Sequence, residues 1–246
     1  MDPNTAVKGR ATNLIEDAFK FQLGYKHEFV KGWESRFTLF GESRAGRPIS
    51  FLMADPRAAG GRGTVFGVYR DDQLLYVPNL SSPDAANPLK FTSPAGTTVY
   101  FANAAALAQF KSLVTQFNLP QGQITPKGFG NNPRVNRIDF QYAQDIPGPL
   151  PGHHLLFTVD IANLGNLLNK KWGIIKEYSN SRAGSVLVNA ACGDATGAAP
   201  TAANPAACQS YVYSMTTVNA ATNSKPTIVD QTASLWQVEL GLKYKF

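Results

Sequence analysis

The stretch LWQVELGLKYKF, Leu235 to Phe246, decides the fold. Trp236, Val238, Leu240, Leu242, Tyr244 and Phe246 are apolar or aromatic, and Gln237, Glu239, Gly241, Lys243 and Lys245 between them are polar or glycine. A period of two is the period of a β-strand, whose successive side chains point to opposite faces. One face of this strand is therefore greasy and the other wet. Its length matches the roughly 9–11 residues a membrane-crossing strand needs. Aromatics at both ends, Trp236 on one side and Tyr244 with Phe246 on the other, fit the girdles such strands place at the two interfaces.

The pattern recurs along the chain. Phe19, Phe21, Leu23, Tyr25 and Phe29 alternate with Lys20, Gln22, Gly24, Lys26 and Glu28, with His27 interrupting the greasy face. After the turn Val30-Lys31-Gly32, Trp33, Ser35, Phe37 and Leu39 alternate with Glu34, Arg36 and Thr38, and Phe40 breaks the polar face. Ile138, Phe140 and Tyr142 alternate with Arg137, Asp139, Gln141 and Ala143. Beyond PGPLPG, Leu155, Phe157, Val159 and Ile161 alternate with Thr158, Asp160 and Ala162. A soluble β-sandwich also alternates. Long strands, aromatic-rich ends and a charged opposite face favour a barrel with a water-filled or plugged lumen.

Five strands follow, at 18–29, 33–43, 135–146, 154–163 and 234–246. The connections at 30–32 and 147–152 are tight, and those at 44–134 and 163–233 are long. Outer-membrane barrels have short periplasmic turns and long extracellular loops. With the tight turns in the periplasm, the strands run down, up, down, up and down, and the C-terminus ends in the periplasm. A single-chain barrel needs at least about eight strands, so the expectation is an incomplete barrel, part of a longer protein. Within the long connections, 103–117 reads as one short helix capped by Asn103, with Leu107, Phe110, Val114 and Phe117 on one face. Residues 64–77 read as a hairpin, and 186–191 with 209–218 as another.

Bulk composition agrees with an all-β chain. Of 246 residues only 16% are charged, 11% are aromatic, and there are 21 Gly and 16 Pro. The cations behind the net charge of +6 are scattered, often one per strand with acids nearby, not clustered as nucleic-acid binding requires. No apolar run is long enough for a transmembrane helix, and MDPNTAVKGR lacks the apolar core of an export signal, so the chain is cytosolic or its true N-terminus is missing. Cys192 and Cys208 flank GDATGAAPTAANPAA, a spacing that suits a disulfide closing a loop in an oxidising compartment; two unrelated thiols are the alternative. His153 and His154 are adjacent on a strand end and point to opposite faces. Asp55, Asp71 and Asp72 lack the ligand spacing of a calcium loop. No phosphate-binding glycine loop, nucleophile elbow or catalytic constellation is present. These readings predict no enzyme activity, no cofactor and no metal site.

Taken in order, GESRAGRPISF, RVNRIDFQYAQDIP, FTVDIANLGNLLNKKWG and a terminal strand ending in Phe246 resemble the C-terminal barrel region of TonB-dependent outer-membrane receptors, in particular the Oar-like group. The segment Asn166-Leu167-Leu168-Asn169-Lys170-Lys171-Trp172-Gly173 carries most of that resemblance, which spans roughly Ala18 to Phe246. It implies one domain over 1–246, an antiparallel meander forming part of a transmembrane β-barrel with long extracellular loops. It also implies a plug and TonB box elsewhere in the protein, through which alone the TonB system would act. Trp236, Leu240, Leu242, Tyr244 and Phe246 match the signal that the barrel-assembly machinery reads. The expected function is ligand binding by extracellular loops and TonB-dependent uptake in a Gram-negative outer membrane, the ligand being unknown. A structural or adhesive barrel and a soluble β-rich binding module are the alternatives.

Overall fold

A computed structural model describes residues 9–54, 73–178, 185–198, 208–215 and 227–246. Its strands are, in chain order, β1 (Ala18–Val30), β2 (Trp33–Arg44), β3 (Pro48–Ala54), β4 (Gln73–Leu74), β5 (Tyr76–Val77), β6 (Lys90–Thr92), β7 (Thr98–Phe101), β8 (Gln123–Ile124), β9 (Gly130–Asn131), β10 (Val135–Pro147), β11 (His154–Ala162), β12 (Lys176–Tyr178), β13 (Ser185–Gly193), β14 (Ser210–Ser214), β15 (Thr227–Val229) and β16 (Gln237–Lys245). Helices α1 (Ala104–Phe117), α2 (Leu164–Leu168) and α3 (Gln231–Ser234) complete the set among the described residues. The fold is all-β. The chain divides into two compact units: Ile15–Gly46, Asn132–Glu177 and Ile228–Phe246 form one, and Met1–Leu14, Arg47–Asn131 and Tyr178–Thr227 the other.

The first unit is a five-stranded sheet in the order β1-β2-β10-β11-β16. Every neighbouring pair is antiparallel. The five strands are the five that the alternation predicts. The pleat sets the register: Leu23 faces Leu39, which faces Phe140, then Ile161 and Val238. The next rung on the same face runs Tyr25, Phe37, Tyr142, Val159 and Leu240. Both tight turns rest on glycine at positive φ, Gly32 at 81° and Gly152 at 83°, a conformation that costs other residues a Cβ clash. The last strand begins later than its pattern suggests. Residues 231–234 wind into α3, because the Asp230 carboxylate accepts the Ala233 N–H at 3.0 Å and caps a helical turn there.

The second unit goes beyond the two hairpins and one helix expected within the long connections. Within the two long connections the chain builds a seven-stranded sheet of its own, ordered β4-β3-β13-β14-β7-β6 with β9 beside β3. This sheet is mixed: β13 runs parallel to β3, and β14 parallel to β7. It departs from the antiparallel meander because its neighbours come from different connections, so hairpin geometry does not dictate their direction. Helix α1 is present, with Asn103 Oδ1 accepting the Ala106 N–H at 2.8 Å and Asn118 closing it in the left-handed region at φ 50°. Helices α2 and α3 add to the single one expected. The β13–β14 hairpin pairs Asn189 with Ser214 and Gly193 with Ser210. Of the hairpin expected at 64–77, residues 64–72 lie outside the described residues; Gln73–Leu74 pairs with β3 instead, and Tyr76–Val77 with β8.

The core sits in this second unit. Ile49, Phe51, Leu75, Val77, Val99, Phe110, Val188 and Tyr213 have no exposed surface. Phe110 of α1 lies 5.1 Å from the Phe101 ring and 5.6 Å from that of Tyr213, centroid to centroid. The Tyr213 hydroxyl donates to the Tyr76 carbonyl at 2.9 Å, so its one polar atom is satisfied.

Candidate functional site

The five-stranded sheet carries an apolar face that stays open. On its outer strands Leu23 is 62% exposed, Leu240 67% and Leu242 70%. On the inner strands Leu39, Phe37, Phe140 and Val159 are half-buried, flanked by same-face neighbours. Among the described residues, no second sheet of the same unit pairs or layers with these strands. Scattered exposed apolar residues are ordinary, but a contiguous face of this extent marks a surface meant for something other than water. From Phe21 to Phe29 the apolar band covers eight strand steps. That is roughly 27 Å along the strand and about 21 Å tall at the tilt of a barrel wall.

The opposite face is charged and internally paired. Lys20 meets Glu42 at 3.3 Å, Arg36 meets Glu34 at 2.7 Å and Asp145 at 3.8 Å, and Arg137 meets Asp139 at 2.7 Å. Gln141 donates to Asp160 across β10 and β11 at 2.5 Å. Such pairs are worth little on an open surface. Their arrangement shows instead which face is built for water. The two outermost strands, β1 and β16, each have one edge with no ladder partner among the described residues.

Trp236, Leu240, Leu242, Tyr244 and Phe246 all fall on the apolar face, at 44, 67, 70, 48 and 95% exposure. Trp236 precedes the ladder. His153 Nδ1 lies 2.5 Å from the Tyr244 hydroxyl, while His154 Nδ1 lies 2.8 Å from Asp145 on the other face. The two imidazoles thus diverge. Among the described residues no three of His, Cys, Asp and Glu converge as a metal site, and Asp55, Asp71 and Asp72 lie outside those residues. Cys192 and Cys208 are joined in a disulfide with their Cα atoms 5.1 Å apart, beside the β13–β14 hairpin. No helix among the described residues is long and apolar enough to cross a membrane.

At the end of the sheet away from the tight turns, residues 163–176 form a strap held by asparagines. Asn163, in the left-handed region at φ 54°, is 1% exposed. Its amide donates to the carbonyls of Gly173 at 3.0 Å and Ser234 at 2.8 Å, and its backbone N–H donates to Asp139 at 2.7 Å. Asn166 donates to the Trp172 carbonyl at 3.0 Å, and Asn169 accepts the Lys171 N–H at 2.9 Å. Gly173 sits at φ 60°, and a Cβ there would lie 1.9 Å from Asn163 Oδ1. The asparagines of the Asn166–Gly173 run therefore act as backbone clamps. Asn163, which precedes that run and is more buried than Asn166 and Asn169, carries no chemical signature; the recurrence of Asn at 163, 166 and 169 is the one signal that could have found it.

Between the strap and the sheet lies a cleft of about 540 Å³. Its sheet wall takes Phe21, Ser43, Asn136 and Ile138, which share the apolar face by register. Glu42 and Arg137 intervene in sequence, so their side chains point to the other face. The Phe21 ring lies over Gly41, where a Cβ would stand 2.1 Å from it. The strap supplies Lys171, Trp172 and Lys176.

The chain matches no protein-family model, no curated protein and no solved structure.

Proposed function

We propose that the chain is part of an outer-membrane β-barrel of the TonB-dependent receptor kind, Oar-like in its strap sequence, with the apolar sheet face toward lipid and the charged face toward the lumen. The observation that carries this reading is the inversion of the five-stranded sheet: its apolar side is open and its ion-paired side faces away from it. In a hydrocarbon solvent that arrangement is the stable one. Bare edges are intolerable there, because no water satisfies their N–H and C=O groups. The edges of β1 and β16 therefore require further strands, which the longer protein would supply. The tight turns face the periplasm and both long connections leave the sheet at the extracellular end. Ligand capture then falls to the mixed-sheet unit, and uptake to a plug and TonB box elsewhere in the protein.

The test is insertion. The full-length gene product, refolded from denaturant, is expected to gain β-structure and protease resistance in phosphatidylcholine vesicles or detergent, and to aggregate in water. A folded, monodisperse species in plain buffer would overturn the reading in favour of a soluble binding module. The packed core of the mixed-sheet unit favours one second reading, a barrel that displays an adhesive head without transport. Energy-dependent uptake in whole cells separates the two, since an adhesive head binds its target with no dependence on TonB.

A further inference from the structure

We propose that the cleft beneath the strap holds the phosphorylated headgroup of an outer-leaflet lipid; this rests on the membrane reading above and adds a specific ligand site to it. The cleft opens on the apolar face, at the end of the sheet away from the tight turns. Phe21 and Ile138 line its lower wall and belong to the same face as Leu23 and Phe140, so the cleft floor continues into the apolar band. An acyl chain can run from one to the other without crossing a polar rung.

The charge above that floor is one-sided. Lys171 and Lys176 line the cleft, and neither lies in an ion pair among the described residues. The nearest acid in the wall, Glu42, points to the opposite face and is held there by Lys20 at 3.3 Å and Arg44 at 3.6 Å. Two ammonium groups with no ion-pair partner among the described residues suit an anion, and a phosphate offers oxygens to both. Trp172, 58% exposed, adds an amphipathic ring of the type enriched at the membrane–water boundary. Cations above, an indole at the rim and an apolar floor below describe an anionic amphiphile, not a free sugar or peptide. The volume of about 540 Å³ fits one headgroup, within the usual span of roughly 300–1,000 Å³ for ligand sites.

The experiment titrates dioleoyl phosphatidic acid, and separately dioleoyl phosphatidylcholine, into the full-length protein in neutral detergent micelles, and reads bound lipid by native mass spectrometry. The wild type is expected to retain phosphatidic acid in preference to phosphatidylcholine. Lys171→Gln with Lys176→Gln should weaken that retention roughly 30-fold, about fivefold per lysine, with insertion unchanged. Lys111→Gln, on α1, serves as the control and should change nothing. An inserted protein that shows no preference between the lipids, or whose preference survives the double substitution, overturns the headgroup site and leaves the barrel reading standing. Displacement of phosphatidic acid by an equal concentration of inorganic phosphate would assign the cleft to soluble phosphate and overturn the lipid commitment. Failure to insert into any bilayer removes both readings.

Discussion

Two sheets in one chain treat the same kinds of side chain in opposite ways. In the mixed-sheet unit, Phe51, Val99 and Tyr213 are fully buried beneath α1 and its neighbours. In the long-strand unit, Leu23, Leu240 and Leu242 are more than half exposed. Composition does not separate the two sets; what separates them is what lies on top. One sheet brings its own cover, and the other leaves its cover to the surroundings. At about 25 cal/mol per Å² of apolar area, a bare face of several rungs is costly to leave in water, which is the ground on which we propose a lipid cover for it.

The largest expected effect sharpens the buried side of that contrast. Tyr213→Ala removes a ring packed against Phe101 and Phe110 and should cost about 3–5 kcal/mol, read from denaturant unfolding of the mixed-sheet unit. Leu240→Arg probes the open side. It should cost about 2–4 kcal/mol in a bilayer, where the residue sits near mid-band, measured by reversible unfolding in vesicles. A cost of only about 0.5 kcal/mol, the size usual for a site exposed to water, would break the comparison. Reducing the Cys192–Cys208 disulfide, with a sequence separation of 16, should lower stability by about 3 kcal/mol. That loss should appear in the mixed-sheet unit and leave the long strands' amide exchange unchanged. Asn163→Ala strips the Gly173 and Ser234 carbonyls of their donor and should cost about 1–3 kcal/mol, seen as faster amide exchange at the start of β16.

The smallest effect is a pH dependence confined to the covered unit. Burial raises the Tyr213 phenol well above its usual value. A raised acid favours its neutral form in the fold, so this contribution is complete below the unfolded tyrosine value near 10 and is lost as pH climbs beyond it. Tyr213→Phe should flatten the alkaline limb of the stability profile. Asp194 has the opposite sign. Hydrogen bonds from the Thr196 hydroxyl and backbone lower its carboxyl, so its contribution is present above the unfolded aspartate value near 4 and fades as pH falls through the lowered one. Asp194→Asn should remove that acid-side slope at the β13–β14 hairpin.

The two units also differed in how far they could be read from residues. The long strands were legible because each carries its pattern over 9 to 13 residues and pairs with the next long strand along the chain. Alternation therefore gave the face, and the meander gave the partner. In the mixed sheet only the β13–β14 hairpin was legible, and the other pairings gave neither signal. Strands β4 and β9 are two residues long, too short for a period. Its parallel pairs join Ser50 to Ser185 and Val99 to Tyr211, contacts that no local pattern announces. Helix α1 was legible from its cap and stripe. The cleft was not, since Lys171 and Lys176 acquire meaning only when the strap brings them over Phe21 and Ile138.

The strap has a consequence for how the protein can change. The chain leaves β11 at Ala162 and re-enters the sheet at Gln237, after a long excursion. The Asn163 amide on the Ser234 carbonyl, and the Asp230 N–H on the Ile175 carbonyl at 3.0 Å, tie departure to return. For the sheet, the excursion is a short closed loop whatever its contents, and lengthening it adds little entropy cost once the neck is fixed. The intervening sequence can then be lengthened, shortened or replaced while β11 and β16 keep their register. The contents of the excursion and the register of the long strands become separately adjustable modules of one polypeptide.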